Sequence, residues 1–518
     1  MPQPNILFVL IDDMGQRDLG CYGSTFYETP NIDRLARDGM LFTDAYAACP
    51  VCSPTRASIL TGLYPATLGV TDWIDWTGRV HPARGKLVDV PYVKALPPTP
   101  GARGGIPNMA SELSGRGYQT WHVGKWHLGG EGAWPEDRGF DRNIGGWTAG
   151  RPQKGYFSPW GFPTLEDGPE GEYLTDRLTD EAVKLIRGRD QQRPFYLNMW
   201  YYSVHTPIQA KQEKIEKYKA KAKVLGLDKI DPIIEGPAFP CEHKKHRRIQ
   251  RRVVQSDVTY AAMIESLDEG IGRLLDALDD EGLAQNTIVV FTSDNGGLST
   301  AEGSPTSNLP LAEGKGWMYE GGTREPLLIR WPEWVAAGST SSVVVSSPDF
   351  LPTLLAAADL GGSGPRKPGA TATTDSSLPT GRGARAEGEP GRPAGGDGTS
   401  FLPVLTDGVD DIEREAVFWH YPHYGNQGGT PGSSVRSGRY KLIEFFETGA
   451  VELYDLETDI AETNNLSETM PGVTAELKQL LGRWRESVEA RIPAANTEFV
   501  SWPHRAFAGR AQASPSSE

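Results

Sequence analysis

The sequence predicts an α/β fold in which a large, mostly parallel sheet is sandwiched by helices. The first observation is that short apolar runs alternate with helical periods over most of residues 1–360. The second is that polar residues directly follow several of these runs, as expected at the carboxyl ends of parallel strands. The third is the length of 518 residues, which exceeds the size at which one core keeps growing and predicts a smaller second domain.

The predicted elements of the large domain come from apolar runs and helix signals. The predicted strands are residues 6–11, 119–123, 195–200, 287–292 and 327–330. Thr29 and Pro30 form a cap and first-turn pair for a helix that Gly39 ends. Between residues 260 and 278, apolar side chains fall on one helical face, which is typical of core packing.

The composition changes after residue 360. Residues 361–399 consist mainly of Gly, Pro, Ala, Ser, Thr and Arg, and they offer too little apolar surface to offset the entropy of ordering. We therefore predict a large α/β domain over residues 1–360, a flexible insertion over 361–399 and a C-terminal α+β subdomain over 400–518 with a disordered tail. The subdomain is predicted to be a small antiparallel sheet with a helix, from β-like runs at 416–420, 440–446 and 451–454 and a helical segment at 473–491.

Charge and the N-terminus limit the partners. A formal net charge of -15 argues against nucleic acid, because phosphate binding needs a basic face. The basic run at residues 243–252 could attract a polyanionic glycan or be a solvated loop. Residues 1–13 lack a basic region, and their apolar run is too short for a signal peptide or a membrane span. The protein is expected to be cytoplasmic, or else periplasmic or secreted with its signal absent from this sequence.

The cysteines indicate chemistry at one position. The four cysteines, too few for a disulfide framework and without the spacing of a zinc site, are Cys21, Cys49, Cys52 and Cys241. Cys52 precedes Pro54 and Arg56 in a segment that predicts a turn leading into a short helix. A helix N-terminus favours an anion, and the Arg56 guanidinium adds a positive charge. The alternative, a small buried cysteine, leaves the nearby Pro and Arg without an explanation.

Two pairs of oxygen-bearing residues follow predicted strands. Asp12 and Asp13 come directly after residues 6–11, and Asp294 and Asn295 follow residues 287–292. Because ligands of open parallel sheets bind beyond the carboxyl ends of the strands, the two pairs can meet at one edge. Three carboxylates and an amide oxygen suit a hard divalent cation, and calcium tolerates such crowding better than magnesium. The alternative is that each Asp only caps a turn or a helix.

Three more polar residues follow strands in the same way. Lys125 and His127 come after residues 119–123, and His205 comes after residues 195–200. An isolated His is more often a structural residue than a functional one. Four strand ends that deliver polar side chains to one edge favour a functional role for both histidines.

These residues lie in motifs that resemble the type I sulfatases, the formylglycine-dependent enzymes of the alkaline phosphatase-like superfamily. The signature of that family is Cys-x-Pro-x-Arg, which this chain has from Cys52 to Arg56. The resemblance runs from Asn5 to about Leu466, excluding the insertion. The other family-like motifs are Asp12-Asp13 and residues 124–129 (GKWHLG), 203–207 (SVHTP), 293–296 (SDNG), 314–316 (GKG), 438–443 (GRYKLI) and 452–456 (ELYDL).

The resemblance implies an alkaline phosphatase-like fold and a sulfuric ester hydrolase. It implies a nucleophile at Cys52, which a formylglycine-generating enzyme oxidises to formylglycine (3-oxoalanine). The implied ligands of calcium are Asp12, Asp13, Cys52, Asp294 and Asn295. The implied catalytic residues beside Cys52 are Arg56, Lys125, His127, His205 and Lys315, and those implied to bind substrate are Lys125, His205 and Lys315. His420, at the start of the second domain, could also reach over the cleft to the substrate.

The reaction hypothesis begins with a gem-diol, the hydrated aldehyde at position 52. One hydroxyl, made more acidic by the metal, attacks sulfur, and the alcohol leaves after protonation by His205. The second hydroxyl loses its proton to His127, the aldehyde re-forms and sulfate departs. Calcium, Arg56, Lys125 and Lys315 offset the charge on the sulfuryl oxygens in the transition state.

The expected substrate is a sulfated carbohydrate, although a sulfated aryl alcohol or lipid fits the same motifs. Trp73 could offer a flat face to a sugar ring or pack in the core. Two alternatives are open: a phosphodiester or phosphonate monoester hydrolase of the same superfamily, and an inactive homologue that binds sulfated glycans. The expected partners are a sulfated molecule and the maturation enzyme, without nucleic acid or a membrane span.

Overall fold

The computed structural model describes residues 2–75, 85–100, 105–360 and 396–500. The strands are β1 Asn5–Ile11, β2 Met40–Tyr46, β3 Gln119–Gly124, β4 Arg142–Ile144, β5 Phe195–Trp200, β6 Ile233–Ala238, β7 Arg248–Arg252, β8 Thr287–Ser293, β9 Arg324–Arg330, β10 Ser339–Ser341, β11 Val345–Ser346, β12 Val417–Tyr421, β13 Gly432–Ser437, β14 Tyr440–Phe445 and β15 Val451–Asp455. The α-helices are α1 Pro30–Arg37, α2 Cys52–Thr61, α3 Pro65–Leu68, α4 Met109–Gly115, α5 Leu174–Arg187, α6 Gln212–Val224, α7 Val258–Asp280, α8 Glu320–Thr323, α9 Phe350–Asp359, α10 Leu402–Thr406 and α11 Pro471–Ser487.

A mixed sheet forms the centre of the large domain. Its strand order is β10-β2-β9-β8-β1-β5-β3-β4, and β11 also pairs with β2. The five consecutive strands β8, β1, β5, β3 and β4 are parallel to one another, so their carboxyl ends share one edge. The strand β9 is antiparallel to both β8 and β2. The predicted α/β class with a mostly parallel sheet is confirmed.

Helices cover both faces of this sheet. In β1, Leu7 and Val9 belong to one apolar cluster, whereas Ile6 and Phe8 belong to the other. Because successive side chains of a strand point to opposite faces, this division means that both faces are buried. Helices α1, α5 and α7 contribute to the first cluster, and α2, α4 and α9 contribute to the second. The apolar stripe predicted between residues 260 and 278 lies on α7 and packs in the core, as expected.

The C-terminal unit is a four-stranded antiparallel sheet in the order β12-β13-β14-β15, covered by α11. On one face, Val435, Leu442 and Leu453 of the sheet pack against Leu481 and Trp484 of α11. The predicted small antiparallel sheet with a helix is confirmed, although β13 was not predicted. The sheet also packs on the large domain, where Trp419 contacts the Tyr46 ring at the end of β2.

The predicted insertion falls mostly outside the described residues, which resume at residue 396. There Asp397 accepts a hydrogen bond from the Tyr64 backbone N–H at 2.6 Å, and the Thr399 N–H donates to Asp349 Oδ1 at 2.8 Å. The predicted disordered tail overlaps residues 501–518, which also lie outside. The domain boundaries at 360 and 400 therefore stay predictions. Across the part of the chain that the structure describes, no helix has the length and apolar composition needed to cross a membrane.

Candidate active site

Parallel strands bring the predicted site residues to one edge of the sheet. Asp12 and Asp13 directly follow β1, Lys125 directly follows β3, and Asp294 directly follows β8. His205 lies five residues beyond the end of β5. All of these residues except His205 are completely or almost completely buried, and His205 is partly buried. Polar side chains that follow four parallel strands therefore meet at one edge of the sheet, as predicted.

Two of these residues adopt the left-handed backbone conformation that disfavours side chains other than glycine. Asp13 has φ of 62° and His127 has φ of 57°. Such conformations cost energy and persist where the surroundings fix them, and they cluster at functional sites. The turn at Asp13 places two adjacent carboxylates where each meets a lysine ammonium group.

The three aspartates that follow β1 and β8 each have a cationic partner. The pairs are Arg56 Nε with Asp294 Oδ2 at 2.7 Å, Lys125 Nζ with Asp12 Oδ2 at 2.7 Å and Lys315 Nζ with Asp13 Oδ2 at 2.8 Å. The three aspartates and three cationic side chains sum to a formal charge of zero. A divalent cation would give this group a net positive charge, which would attract an anionic ester.

The donor set fits a hard cation. Asn295 donates through Nδ2 to Asp13 Oδ1 at 2.9 Å, and its buried Oδ1 has no hydrogen-bond partner among the described residues. Burial, together with the charges of Asp294 and Asp13, raises the pKa of Asp12 well above its ordinary value. A divalent cation coordinated by oxygen would relieve this crowding and use the spare amide oxygen.

His205 lies within reach of the same oxygens. Asp12, Asp13 and His205 each have one possible ligand atom that lies within 4.8 Å of the other two. The His205 Nε2 atom is 3.6 Å from Asp13 Oδ2. His205 was not among the predicted metal ligands. Imidazole nitrogen suits transition metals better than calcium, so the oxygen set alone fits the predicted ion.

Cys52 is the first residue of α2, so the predicted turn and short helix are confirmed. Its Sγ lies 3.3 Å from His127 Nδ1, and the side chain is buried. Burial raises the pKa of the Cys52 thiol, although Lys125 and Lys315 act in the opposite direction. Since the thiolate is the reactive form of cysteine, the unmodified side chain is a poor nucleophile here.

Hydrogen bonding determines the tautomer of His127. Its Nε2 lies 2.8 Å from the carbonyl oxygen of Ile74, which can only accept, so Nε2 carries the proton. The Nδ1 lone pair then faces Cys52. Burial, helped by the charge of Lys125, lowers the pKa of His127 well below its ordinary value. His127 is therefore neutral and can accept a proton from a group at position 52.

His205 is held by the carbonyl oxygen of Thr206, which lies 2.9 Å from Nδ1. This contact places a proton on Nδ1 and leaves Nε2 directed toward Asp13. Burial lowers the pKa of His205 to about 4, although the charge of Asp13 acts in the opposite direction. The ring is thus neutral near pH 7 in the state described. The predicted role of His205 as the acid that protonates the leaving alcohol stays a prediction.

A cavity of about 690 Å³ opens above these groups, which is within the size range of small-molecule sites. Cys52, His127, His205 and Lys315 line it. Lys125, predicted to bind substrate directly, is fully buried beside Asp12 and does not line the cavity.

Further residues of the cavity wall were missed by sequence reasoning. They are Asp75, Gly150, Arg151, Gln153, Glu302, Asn426 and Gln427. These residues stand in loops without a motif. Position 150 requires glycine, because an added Cβ would lie 2.5 Å from Cε1 of His127. This requirement arises from a contact between distant segments and cannot be read from the sequence.

The position of His420 corrects one prediction. Its side chain is 3% exposed, with Nδ1 at 2.7 Å from Ser433 Oγ and Nε2 at 3.1 Å from the Arg491 carbonyl oxygen. Both ring nitrogens are thus engaged within the C-terminal unit, and His420 does not line the catalytic cavity. Instead, Asn426 and Gln427, in the loop between β12 and β13, reach the cavity and donate hydrogen bonds to Glu302 Oε1 at 2.9 and 2.7 Å.

The fold and the site define a class of hydrolase that acts on anionic esters. A mostly parallel sheet presents paired aspartates, three buried cations and a residue at a helix N-terminus beside a neutral imidazole. The model of the sulfatase family matches residues 4–360, and the model of the N-sulphoglucosamine sulphohydrolase C-terminal region matches residues 389–487. The chain belongs to the sulfatase family and is a sulfuric ester hydrolase.

Curated relatives and solved structures agree with this assignment. Arylsulfatase A of Homo sapiens is 30% identical over 95% of this chain and 89% of its own. N-acetylgalactosamine-6-sulfatase of Homo sapiens is 34% identical over 69% of this chain and 63% of its own. The crystal structure of Ps i-CgsB in complex with k-i-k-neocarrahexaose is similar with a TM-score of 0.68 and 26% identity, and covers 96% of this chain and 95% of that chain.

Proposed function

We propose that this sulfatase removes sulfate from a sulfated carbohydrate, with calcium and with a nucleophile made by oxidising Cys52 to formylglycine. The observation that carries the proposal is the 3.3 Å contact between Cys52 Sγ and the unprotonated Nδ1 of His127 at the N-terminus of α2. N-acetylgalactosamine-6-sulfatase and the Ps i-CgsB complex are named for sugars, which supports a carbohydrate substrate.

The chemistry of residue 52 accounts for its surroundings. Hydrated formylglycine would supply two hydroxyls, one as the nucleophile toward sulfur and one that loses its proton so that sulfate can leave. His127 Nδ1 is positioned to accept that proton, and its lowered pKa keeps it neutral. The raised pKa of the unmodified Cys52 thiol argues against a mechanism in which cysteine itself attacks.

The calcium would be held by Asp12, Asp13, Asp294 and Asn295. Asn295 would contribute its Oδ1, which has no hydrogen-bond partner among the described residues. A bound calcium ion would supply positive charge to the site and would lower the pKa of a hydroxyl near it. Lys315 lines the cavity and bonds Asp13, so the same ammonium group can orient both the carboxylate and a sulfate oxygen.

Arg56 and Lys125 act from behind the cavity. The Arg56 guanidinium bonds Asp294 Oδ2 at 2.7 Å and the Lys125 carbonyl oxygen at 3.0 Å. Both cationic side chains are completely buried, where electrostatic interactions are less screened by water. They orient the carboxylates and stabilise negative charge that develops on the sulfuryl oxygens.

Maturation requires a formylglycine-generating enzyme that acts before folding. The Cys52 side chain is 3% exposed, and every residue of α2 is buried. A modifying enzyme cannot reach the thiol in the folded chain, so the segment around Cys52 must be oxidised while it is still extended.

The test compares Cys52→Ala with Ser58→Ala on the same helix, using protein co-expressed with a formylglycine-generating enzyme. Loss of the nucleophile should lower kcat for 4-nitrophenyl sulfate by about four or more orders of magnitude. Ser58→Ala should retain nearly full activity, because the buried Ser58 hydroxyl has no hydrogen-bond partner among the described residues. Peptide mass spectrometry should find formylglycine at position 52, and full activity with an unmodified Cys52 would disprove the mechanism.

Substrate preference distinguishes a sulfatase from the alternative, a phosphodiester or phosphonate monoester hydrolase of the same superfamily. Sulfate monoesters should be hydrolysed with a higher kcat/KM than a phosphodiester such as bis(4-nitrophenyl) phosphate. A higher kcat/KM for the phosphodiester would favour the phosphodiester hydrolase and contradict the proposed sulfate substrate. A panel of sulfated monosaccharides and oligosaccharides then identifies the sugar, with released sulfate as the measured product.

A further inference from the structure

A second cavity of about 330 Å³ lies beside the catalytic one. The two cavities share Trp73 and Asn426 in their walls. We propose that the second cavity is a subsite for the neighbouring sugar of an anionic glycan chain, bound while the sulfated sugar occupies the catalytic cavity. This inference rests on the proposed function and adds that the substrate is longer than one sugar.

A short segment of chain separates the two cavities. Asp75 lines the catalytic cavity, Asp72 lines the second, and Trp73 lines both. The segment is anchored to the catalytic centre through Ile74, whose carbonyl accepts from His127 Nε2 at 2.8 Å and whose N–H donates to Ser53 Oγ at 3.0 Å. A ligand that spans this wall would therefore hold its sulfated unit in register with residue 52.

The second cavity has aromatic walls. Tyr92 and Tyr424 line it together with Trp73, and all three residues are half-buried. The Tyr92 hydroxyl donates to the Trp73 carbonyl at 3.0 Å, which fixes two of these residues relative to each other. Flat amphipathic rings beside polar groups present an apolar face to a sugar ring and leave its hydroxyls to the polar rim.

The rim of the second cavity carries cationic groups in an otherwise acidic protein. Lys94 is exposed, with its ammonium 5.6 Å from the centre of the Tyr92 ring, and Lys244 donates to the Gly425 carbonyl at 2.9 Å. Asp89 also lines the cavity, and burial raises the pKa of Asp72 to about 7, which weakens its opposing charge. The two lysines therefore favour an acidic glycan over a neutral one.

Part of the basic run at residues 243–252 belongs to this rim. His243 and Lys244 line the second cavity, whereas Arg248 pairs with Glu235 at 2.8 Å and lies on the separate hairpin of β6 and β7. The run thus divides into a part that faces the cavity and a part whose charge is balanced by acidic neighbours. The first part fits the interpretation that the run attracts a polyanionic glycan, and the second part fits a solvated surface.

The test compares one sulfated sugar as a monosaccharide and as the same unit within an anionic oligosaccharide. The mature wild-type protein should desulfate the oligosaccharide with a kcat/KM about 3- to 10-fold higher, the scale expected for contacts with aromatic side chains. Tyr92→Ala should remove most of this preference. Tyr92→Phe keeps the ring and loses only the hydroxyl that bonds Trp73, so it should retain the preference.

Two further variants complete the comparison. Val93→Ala is the matched control, since Val93 is the exposed neighbour of Tyr92 and lines neither cavity. Lys94→Glu changes an exposed side chain and should not threaten folding. It should lower kcat/KM for the oligosaccharide more than for the monosaccharide, and the difference should shrink at high salt because exposed charges are screened.

The possible outcomes separate the inference from the proposed function. Equal kcat/KM for monosaccharide and oligosaccharide in the wild type, or equal losses on both substrates in Tyr92→Ala and Lys94→Glu, would overturn the second subsite alone. Hydrolysis of 4-nitrophenyl sulfate without sulfate release from any sugar in the panel would overturn the carbohydrate assignment, and this subsite with it.

Discussion

The chemistry of single residues at the site depends on buried carboxylates that are matched by buried cations. Asp12, for example, accepts both of its short hydrogen bonds from the Lys125 ammonium, at 2.8 and 2.7 Å, with both side chains fully buried. Removing one partner of such a pair leaves an uncompensated charge, which typically costs about 3–5 kcal/mol. A bound divalent cation would supply part of the missing charge, so we expect stability and metal binding to be coupled at this residue.

Lys125→Met tests this coupling. The substitution should lower kcat by about 10²- to 10³-fold, because a positive charge is lost behind the reacting sulfate. It should also increase the rise in Tm that calcium produces, since the cation then replaces the lost partner of Asp12. Thermal unfolding of both proteins in EDTA and in millimolar calcium measures the effect.

The matched control for this experiment is Lys184→Met. The Lys184 side chain is 66% exposed and pairs with Glu181 on the surface of α5, where such pairs contribute little. Its calcium-dependent shift in Tm and its kcat should equal those of the wild type. The coupling would be refuted by the same calcium shift in Lys125→Met as in the wild type.

The residues that sequence analysis located are those that stand in motifs or directly after strands. Asp12 and Asp294 could be placed because a strand end fixes where the next side chain goes. Glu302 and Gln427 could not, because they meet only after loops from the two domains fold against each other. His420 was misplaced because its role was inferred from its position at the start of the second domain, whereas its ring is held by Ser433 on the neighbouring strand.

The elements of secondary structure show a similar division. Long apolar runs such as β1 and β5 were predicted because both faces of a parallel strand are buried. The strand β13, Gly432–Ser437, has the sequence GSSVRS, which has no alternating apolar pattern. It is a strand because β12 and β14 supply its hydrogen-bond partners on both sides, a tertiary effect that no local signal reports.

The strand β14 also carries a buried ionic contact to the large domain. Lys441 Nζ lies 2.8 Å from Glu320 Oε1 and 3.1 Å from Glu462 Oε1, and all three side chains are fully buried. Burial, together with the charge of Glu320, raises the pKa of Glu462 to about 8, although Lys441 acts in the opposite direction. The folded protein therefore binds a proton at Glu462 more tightly than the unfolded chain does.

This linkage predicts a pH dependence of stability. The contribution of Glu462 to the free energy of unfolding is complete below pH about 4.5 and is lost as the pH rises through about 8. Glu462→Gln stays neutral, so its stability relative to the wild type should increase from pH 5 to pH 9. Urea unfolding at pH 5, 7 and 9 measures the difference. Glu468→Gln, at an exposed position nearby, serves as control, and an equal difference at all three pH values would contradict the assignment.

At the scale of the whole molecule, the two domains form one site. Asn426 and Gln427 of the C-terminal unit and Glu302 of the large domain together make one wall of the catalytic cavity. The sequence predicted two domains, the fold of each and a reach of the second domain over the cleft at His420, but not that Asn426 and Gln427 would be the residues that line it. Composition and periodicity indicate the elements within each domain. The contacts between the domains depend on the three-dimensional arrangement of loops, which these patterns do not reveal.

The predicted insertion allows a test of the domain organisation. Thr399 and Phe401 return beside Asp349 and Thr353, near the start of α9, whereas Leu360 lies just beyond its end. Ten helical residues span about 15 Å, so a linker of about ten Gly and Ser residues can replace residues 365–391. The shortened protein should keep kcat/KM within about twofold and Tm within a few degrees. A large loss of either would show that the segment has a structural role.

We expect an oxidised residue 52 to lie beside a divalent cation held by Asp12, Asp13, Asp294 and Asn295. The decisive experiment is a crystal structure of the mature, active protein with calcium, in which anomalous scattering locates the ion. Calcium should lie at about 2.3–2.6 Å from oxygens of these four side chains, next to formylglycine at position 52. A cation bound elsewhere, or an unmodified Cys52 in fully active protein, would contradict it.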